Sequence, residues 1–173
     1  MSYHSLPIGS NYPESFNVVV EIAKGGHNKY EYDETSGIIK LDRVLHSPMF
    51  YPVDYGFIPE TRSSDGDHLD ALVLTDSPTF SGCIVEARAI GLLQMIDGGE
   101  ADEKILAVPV KNPRYKSINT LDDLEPHILD EIKHFFEQYK KLEKKEVEVK
   151  NWEPRENALA TLKEAHENFK KNG

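Results

Sequence analysis

A change of hydrophobic period about two thirds of the way along the chain separates two kinds of structure. Before it, apolar residues alternate with polar ones or fall in short runs bounded by Pro, Gly or Asp, as strands require. Phe16-Asn-Val-Val-Val-Glu-Ile22 reads as a strand with one buried face. Lys29-Tyr-Glu-Tyr-Asp33 and Ile38-Ile-Lys-Leu-Asp-Arg-Val44 flank the turn signal Glu34-Thr-Ser-Gly37, which predicts a β-hairpin. Further β-rich runs cover residues 71–75, 83–95 and 104–110 and point to a small antiparallel sheet or barrel. After it, Leu124, Ile128, Leu129, Ile132, Phe135, Phe136 and Tyr139 recur at steps of mostly three and four, with Pro126 in the first turn. That is an amphipathic helix. A second helix is expected over residues 154–170, with Leu159, Leu162, Ala165 and Phe169 on one face, after a charged segment that contains the alternation Val147-Glu-Val-Lys150. The expected fold is mainly β with flanking helices (α+β), in a single domain over residues 1–173.

Charge narrows the partners. The chain carries 30 acidic against 20 basic residues, a net −10, so its averaged field repels nucleic acid and anionic membranes. A small anionic ligand is still possible if divalent metals and a few local Lys or Arg residues reverse the sign inside a site. No run approaches the roughly 18 apolar residues that span a bilayer, and the first residues lack the basic and apolar regions of an export signal. A cytoplasmic protein is expected. The single cysteine, Cys83, can form no internal disulfide and is expected as a small buried hydrophobe.

The densest chemical signal is Asp65-Gly-Asp-His-Leu-Asp70, three carboxylates within six residues just before an apolar strand. Such like charges either fan out into water or are neutralised by a cation, and hard ions such as Mg²⁺ or Ca²⁺ favour these oxygens. A second acidic loop, Asp97-Gly-Gly-Glu-Ala-Asp-Glu-Lys104, follows the long β-run. Taken alone it reads as an ordinary hairpin loop. With it come Lys29 and Glu31 on one short strand, Arg43, and the tyrosines of Met49-Phe-Tyr-Pro-Val-Asp-Tyr-Gly-Phe57. Singly, Lys29 and Arg43 read as strand-edge charges, Tyr51, Tyr55 and Tyr139 as core rings, and Lys140 as a solvated cation. Together they are candidate metal ligands and phosphate-binding cations.

These residues resemble the soluble family I inorganic pyrophosphatases, the bacterial type in particular, from Glu21 to Lys140. The aspartate triplet D-x-D-x-x-D is matched by Asp65, Asp67 and Asp70; Lys29-Tyr-Glu31, Asp42-Arg43 and His134-Phe-Phe-Glu-Gln-Tyr139-Lys140 match in order around it. The resemblance implies a five-stranded OB-like barrel with two C-terminal helices, hydrolysis of pyrophosphate to two orthophosphates, and several Mg²⁺ ions per active site. It implies Asp65, Asp70, Asp97, Asp102 and Glu31 as metal ligands. Lys29, Arg43, Tyr139 and Lys140 would contact phosphate oxygens, with Lys104 beside them and Glu21 and Tyr51 in support. Asp67, the triplet member least committed to metal, is expected as general base, with Tyr55 hydrogen-bonding in its region to tune its proton affinity. Homo-oligomers, commonly hexamers in bacteria, are implied as well. Two positions depart from the pattern: His68, where proline or glutamate is more usual, and Gly98, where an acidic residue usually follows Asp97, leaving Glu100 as a replacement.

The rival from another class is a catalytically silent metal-binding module that recognises a partner. It accounts for the acidic loops and leaves Lys29, Arg43 and Lys140 unexplained. Hydrolysis of nucleotides lacks the support of a Walker-type glycine loop.

Overall fold

The protein is described by a computed structural model over residues 3–172. Met1, Ser2 and Gly173, the ends of the expected domain, lie outside the described residues. In chain order the strands and α-helices are β1 (Phe16–Ile22), β2 (Asn28–Asp33), β3 (Ile38–Val44), β4 (Asp54–Phe57), β5 (Asp70–Val73), β6 (Ile84–Asp97), β7 (Glu100–Ala101), β8 (Lys104–Pro109), α1 (Pro126–Gln138), β9 (Val147–Pro154) and α2 (Arg155–Asn172).

Five strands close on themselves in the order β1, β4, β5, β8, β6 and back to β1. The closing strand is β6, 14 residues long. Its first residues pair with β1 and its middle with β8, while its far end pairs with β9 and β7. Irregularities in register beside Ile90 and Gln94 let so long a strand serve several partners. Closure leaves the five ring strands without a free edge between them.

The expectation of an all-antiparallel arrangement is corrected at one pair: β5 and β8 run parallel. A ring with an odd number of strands cannot alternate direction all the way round, so closing five strands requires a parallel neighbour. Both strands are buried on both faces, which is why they read as continuous apolar runs. Leu72, Leu106 and Val108 join one apolar cluster, with Ile132, Phe135 and Phe136 of α1. Ala71, Val73, Ile105 and Ala107 join a second, with Ala158, Leu162 and Ala165 of α2.

The hairpin β2–β3 forms as expected, as a separate two-stranded sheet. Pro126 opens α1, and of the expected stripe Leu124, Ile132, Phe135, Phe136 and Tyr139, the C-cap, are buried while Ile128 and Leu129 are half-buried. On α2 the buried face is turned toward Ala158, Leu162, Ala165 and His166, with Leu159 and Phe169 half-buried at its margins. Cys83 is half-exposed in the turn before β6, not in the buried face expected for it.

Strand β4 was not apparent from alternation because all four of its residues are buried, one of them the charged Asp54. Asp54 is accommodated by the backbone N–H of Lys24 at 2.7 Å and the Thr79 hydroxyl at 2.8 Å. Gly56 faces β1 so closely that a Cβ there would collide with the Val19 carbonyl oxygen. Gly56→Ala is expected to destabilise the fold by about 3 kcal/mol or more through this overpacking, read as a lower urea midpoint.

Candidate functional site

A cavity of ≈ 710 Å³ collects side chains from six places: β1, β2 with its turn, β4, the loop leading into β5, the turn between β6 and β8, and the end of α1. The loop before β5 is shaped by its own hydrogen bonds. The Asp65 carboxylate accepts the Asp67 N–H at 3.0 Å across Gly66, whose φ of +92° suits glycine. Buried Thr61 donates its hydroxyl to the Ile58 carbonyl and accepts the Leu69 N–H at 2.9 Å, tying the two ends of the loop together. Asp70 is already in the ladder, opposite Phe57 on one side and Lys104 on the other. Asp65, Asp67 and Asp70 therefore line one wall of the cavity.

The Lys104 ammonium lies beneath that wall, 2.6 Å from Asp70 Oδ2 and 2.7 Å from Asp102 Oδ1. The aromatic faces of Tyr55 and Phe136 are 5.4 and 5.5 Å from it. Lys104 is only 1% exposed. Burial opposes its charge, but the two carboxylates outweigh burial and hold its pKa above that of a free lysine. Lys104 was expected to bind substrate; it does not line the cavity, because its ammonium is committed to Asp70 and Asp102.

Within the region expected for it, the Tyr55 hydroxyl donates to Asp70 Oδ2 at 2.6 Å. Burial, with Asp70 nearby, keeps this phenol protonated far above its usual range. Asp67 is pushed upward by burial, then by the neighbouring charges of Asp65 and Glu34. Tyr51 packs against Tyr55 and Phe135 in the core, consistent with a supporting place.

Opposite the aspartates, Lys29 pairs with Glu31, and Lys140 with Asp97. Tyr139 is almost buried but reaches the cavity wall. Arg43 sits across the hairpin from Lys29. Its Nη1 donates to Asp42 at 2.6 Å and its Nε lies 3.1 Å from Glu143 Oε2. Arg43 Nη2 is buried and makes no hydrogen bond with any described residue, a donor of the kind a bound anion satisfies. Glu143 was missed in the sequence: it is 100 residues from Arg43, and no local signal marks it. At the other departure, Gly98 and Gly99 both have positive φ, +59° and +91°, in a two-residue hairpin turn. Glu100, Asp97 and Asp102 line the cavity from that turn.

The donor set for a cation consists of carboxylate oxygens, which fit a hard divalent ion. Among the described residues no three acidic, His or Cys groups form a ready cation site; Asp70, Asp102 and Asp97 each face a lysine ammonium.

The sequence profile described as inorganic pyrophosphatase matches residues 18–170. The chain belongs to the inorganic pyrophosphatase family. An inorganic pyrophosphatase of Halalkalibacterium halodurans is 51% identical over 158 residues, 91% of this chain and 97% of that protein. Soluble inorganic pyrophosphatase 1 of Arabidopsis thaliana is 50% identical over 92% of this chain and 76% of its own length. The crystal structure of inorganic pyrophosphatase from Thermus thermophilus superposes with a TM-score of 0.95 at 43% identity, over 98% of this chain and 99% of that one.

Within this pyrophosphatase site, Glu21 is a strongly perturbed acid. It accepts the Tyr32 N–H at 2.6 Å, yet burial pushes its pKa from 4.5 up to about 8. A folded state that keeps a proton the unfolded chain releases is stabilised below about pH 4.5, and that contribution is lost as pH rises through about 8. Melting temperatures of metal-free wild type and Glu21→Gln, measured from pH 5 to 9, should diverge with rising pH in favour of the variant, which stays neutral throughout.

Proposed function

We propose that this chain hydrolyses inorganic pyrophosphate to two orthophosphates in the described cavity, with Mg²⁺ as its metal. The observation that carries the reading is the convergence of Asp65, Asp67, Asp70, Asp97 and Asp102 with Lys29 and Lys140 around one polar space, with Arg43, whose Nη2 has no partner among the described residues, across the hairpin from Lys29. A silent metal-binding module accounts for the aspartates and leaves the cations without a purpose.

Asp65, Asp70, Asp97, Asp102 and Glu31 would hold the metal. Bound Mg²⁺ supplies Lewis acidity that makes water easier to deprotonate and neutralises phosphate oxygens. The chain's own residues do the rest. Asp67 accepts the proton of the attacking water; burial and the charges of Asp65 and Glu34 raise its basicity toward the working range of a general base. Tyr55 donates to Asp70 and fixes that carboxylate's orientation. Lys104 does the same for Asp70 and Asp102 from below. Arg43 Nη2 binds a phosphate oxygen without breaking its bonds to Asp42 and Glu143. Lys29 and Lys140 exchange their carboxylate partners for phosphate oxygens, and the Tyr139 hydroxyl adds a donor at the α1 end. Cations placed where charge develops on the leaving phosphate lower the barrier more than they would in water.

The remaining parts of the reading concern the whole molecule. It folds as one domain over residues 1–173, assembles as a homo-oligomer, a hexamer as in the bacterial family pattern, and works in the cytoplasm. Among the described residues no helix is long and apolar enough to cross a membrane.

Orthophosphate release from pyrophosphate by the purified protein is expected with Mg²⁺ and not with chelator, and ATP is expected to be a poor substrate. An intact fold that releases no phosphate with several metals would leave the silent module. Asp67→Asn should keep fold and metal binding and lose about 10²-fold or more in kcat; near-normal turnover removes Asp67 from the base role.

A further inference from the structure

The hairpin β2–β3 brings Lys29, Glu31 and Arg43 to the site, but it is a sheet of its own beside the ring. The aspartate loop, by contrast, runs directly into the ring strand β5. A two-stranded hairpin has little stability of its own in water. Main-chain bonds of Gly25 and Gly26 with Tyr51 tie the base of the hairpin; toward its tip the spacing between the two halves of the site is set by side chains.

At the tip of the hairpin, Glu34 accepts a bidentate pair from Arg62, at 2.6 Å from Nη1 and 2.7 Å from Nη2. His68 Nε2 lies 2.8 Å from Glu34 Oε1, and His68 Nδ1 lies 2.9 Å from the Thr61 carbonyl. Arg62 and His68 both come from the aspartate loop. Arg62 is in turn anchored to α2: its backbone N–H donates to the Ala165 carbonyl at 2.8 Å, and its guanidinium lies over the Phe169 ring at 5.6 Å. The His68 ring stacks on Phe57 of β4 at 4.8 Å, and Phe57 stacks on Tyr32 of β2 at 5.2 Å. Aspartate loop, ring strand and hairpin are thus joined twice, once by ions and once by stacked rings.

We propose that Glu34, Arg62 and His68 are positioning residues, a clasp that sets the distance between the hairpin's substrate-binding cations and the metal-binding aspartates. The proposal rests on the pyrophosphatase reading of the site. It also gives a purpose to the departure at position 68. Proline there could neither hydrogen-bond Glu34 nor stack flat on Phe57, and glutamate would repel Glu34. The clasp is partly solvated, with side-chain exposures of 35% for Glu34, 21% for Arg62 and 13% for His68, so its strength comes from geometry more than from charge. Bidentate pairing and ring stacking both fix orientation.

The test compares wild type, Glu34→Gln, Arg62→Met and the double variant in steady-state pyrophosphate kinetics with Mg²⁺. In parallel, amide hydrogen exchange is followed over residues 28–44 and over the ring strands. Displacing positioned groups by about 1 Å can cost up to 10²-fold, and for a loosened hairpin a rise in KM of about tenfold is expected in Glu34→Gln, larger than the fall in kcat. Hairpin amides should exchange faster while the ring strands keep their protection. The double variant should be no worse than the single ones, since all of them break one unit. Wild-type KM and wild-type hairpin exchange in Glu34→Gln would overturn the clasp, as would a fall in melting temperature with KM unchanged. Should the wild type release no orthophosphate, the pyrophosphatase reading fails by itself, and hairpin exchange alone decides whether the clasp exists.

Discussion

Lys104 carries its charge to a place that water does not reach, and the site is built around that ammonium. An uncompensated buried charge costs about 3–5 kcal/mol, so Asp70 and Asp102 must come to it, and their oxygens do, at 2.6 and 2.7 Å. Asp70 is held further by Tyr55 from β4, and the Phe136 ring of α1 faces the same ammonium. A single side chain thereby connects three neighbouring ring strands, the acidic turn and a helix. The arrangement also holds two candidate metal ligands at the cavity wall instead of collapsed onto backbone donors. Stability and readiness for a cation come from the same contacts.

Around that centre the site divides between the closed ring and a separate two-stranded sheet. The aspartates sit on or beside strands of a closed ring, whose ladders set their positions. The cations Lys29 and Arg43 sit on a hairpin whose pose depends on side chains at both flanks: Glu143 against Arg43 on one, and Arg62 with His68 against Glu34 on the other. An anionic substrate that must meet metals and cations together needs both sets in register, because small misplacements are costly. Lys29 and Lys140 are engaged with Glu31 and Asp97.

The strongly acidic character of the chain and its attraction to a phosphate compound are reconciled locally. Net charge governs long-range encounter, whereas inside the cavity Asp70, Asp97 and Asp102 are matched by lysines. Arg43 Nη2 is buried and without a bond to any described residue. A purely structural arginine at that depth would have its donors satisfied.

Much of this was legible in the sequence. Period-two alternation and turn signals gave the hairpin and most ring strands, and the three- and four-residue spacing gave both helices, because burial on one face leaves its imprint on neighbouring residues. The aspartate triplet was legible for the same reason: its three carboxylates are close in the chain, and Gly66 and the Asp65 turn keep them close in space. What only the tertiary structure decided are relations between distant residues. Strand β4, buried on every side, lacked alternation. The parallel β5–β8 pair follows from closing an odd ring, which no single strand records. Lys104 withdrew from the cavity wall, Tyr55 bonded Asp70, and Glu143 reached Arg43 across 100 residues. A sequence determines which side chains want water and which want a partner; which partner each one finds depends on where the closed ring brings the loops, and that is settled only when the chain has folded.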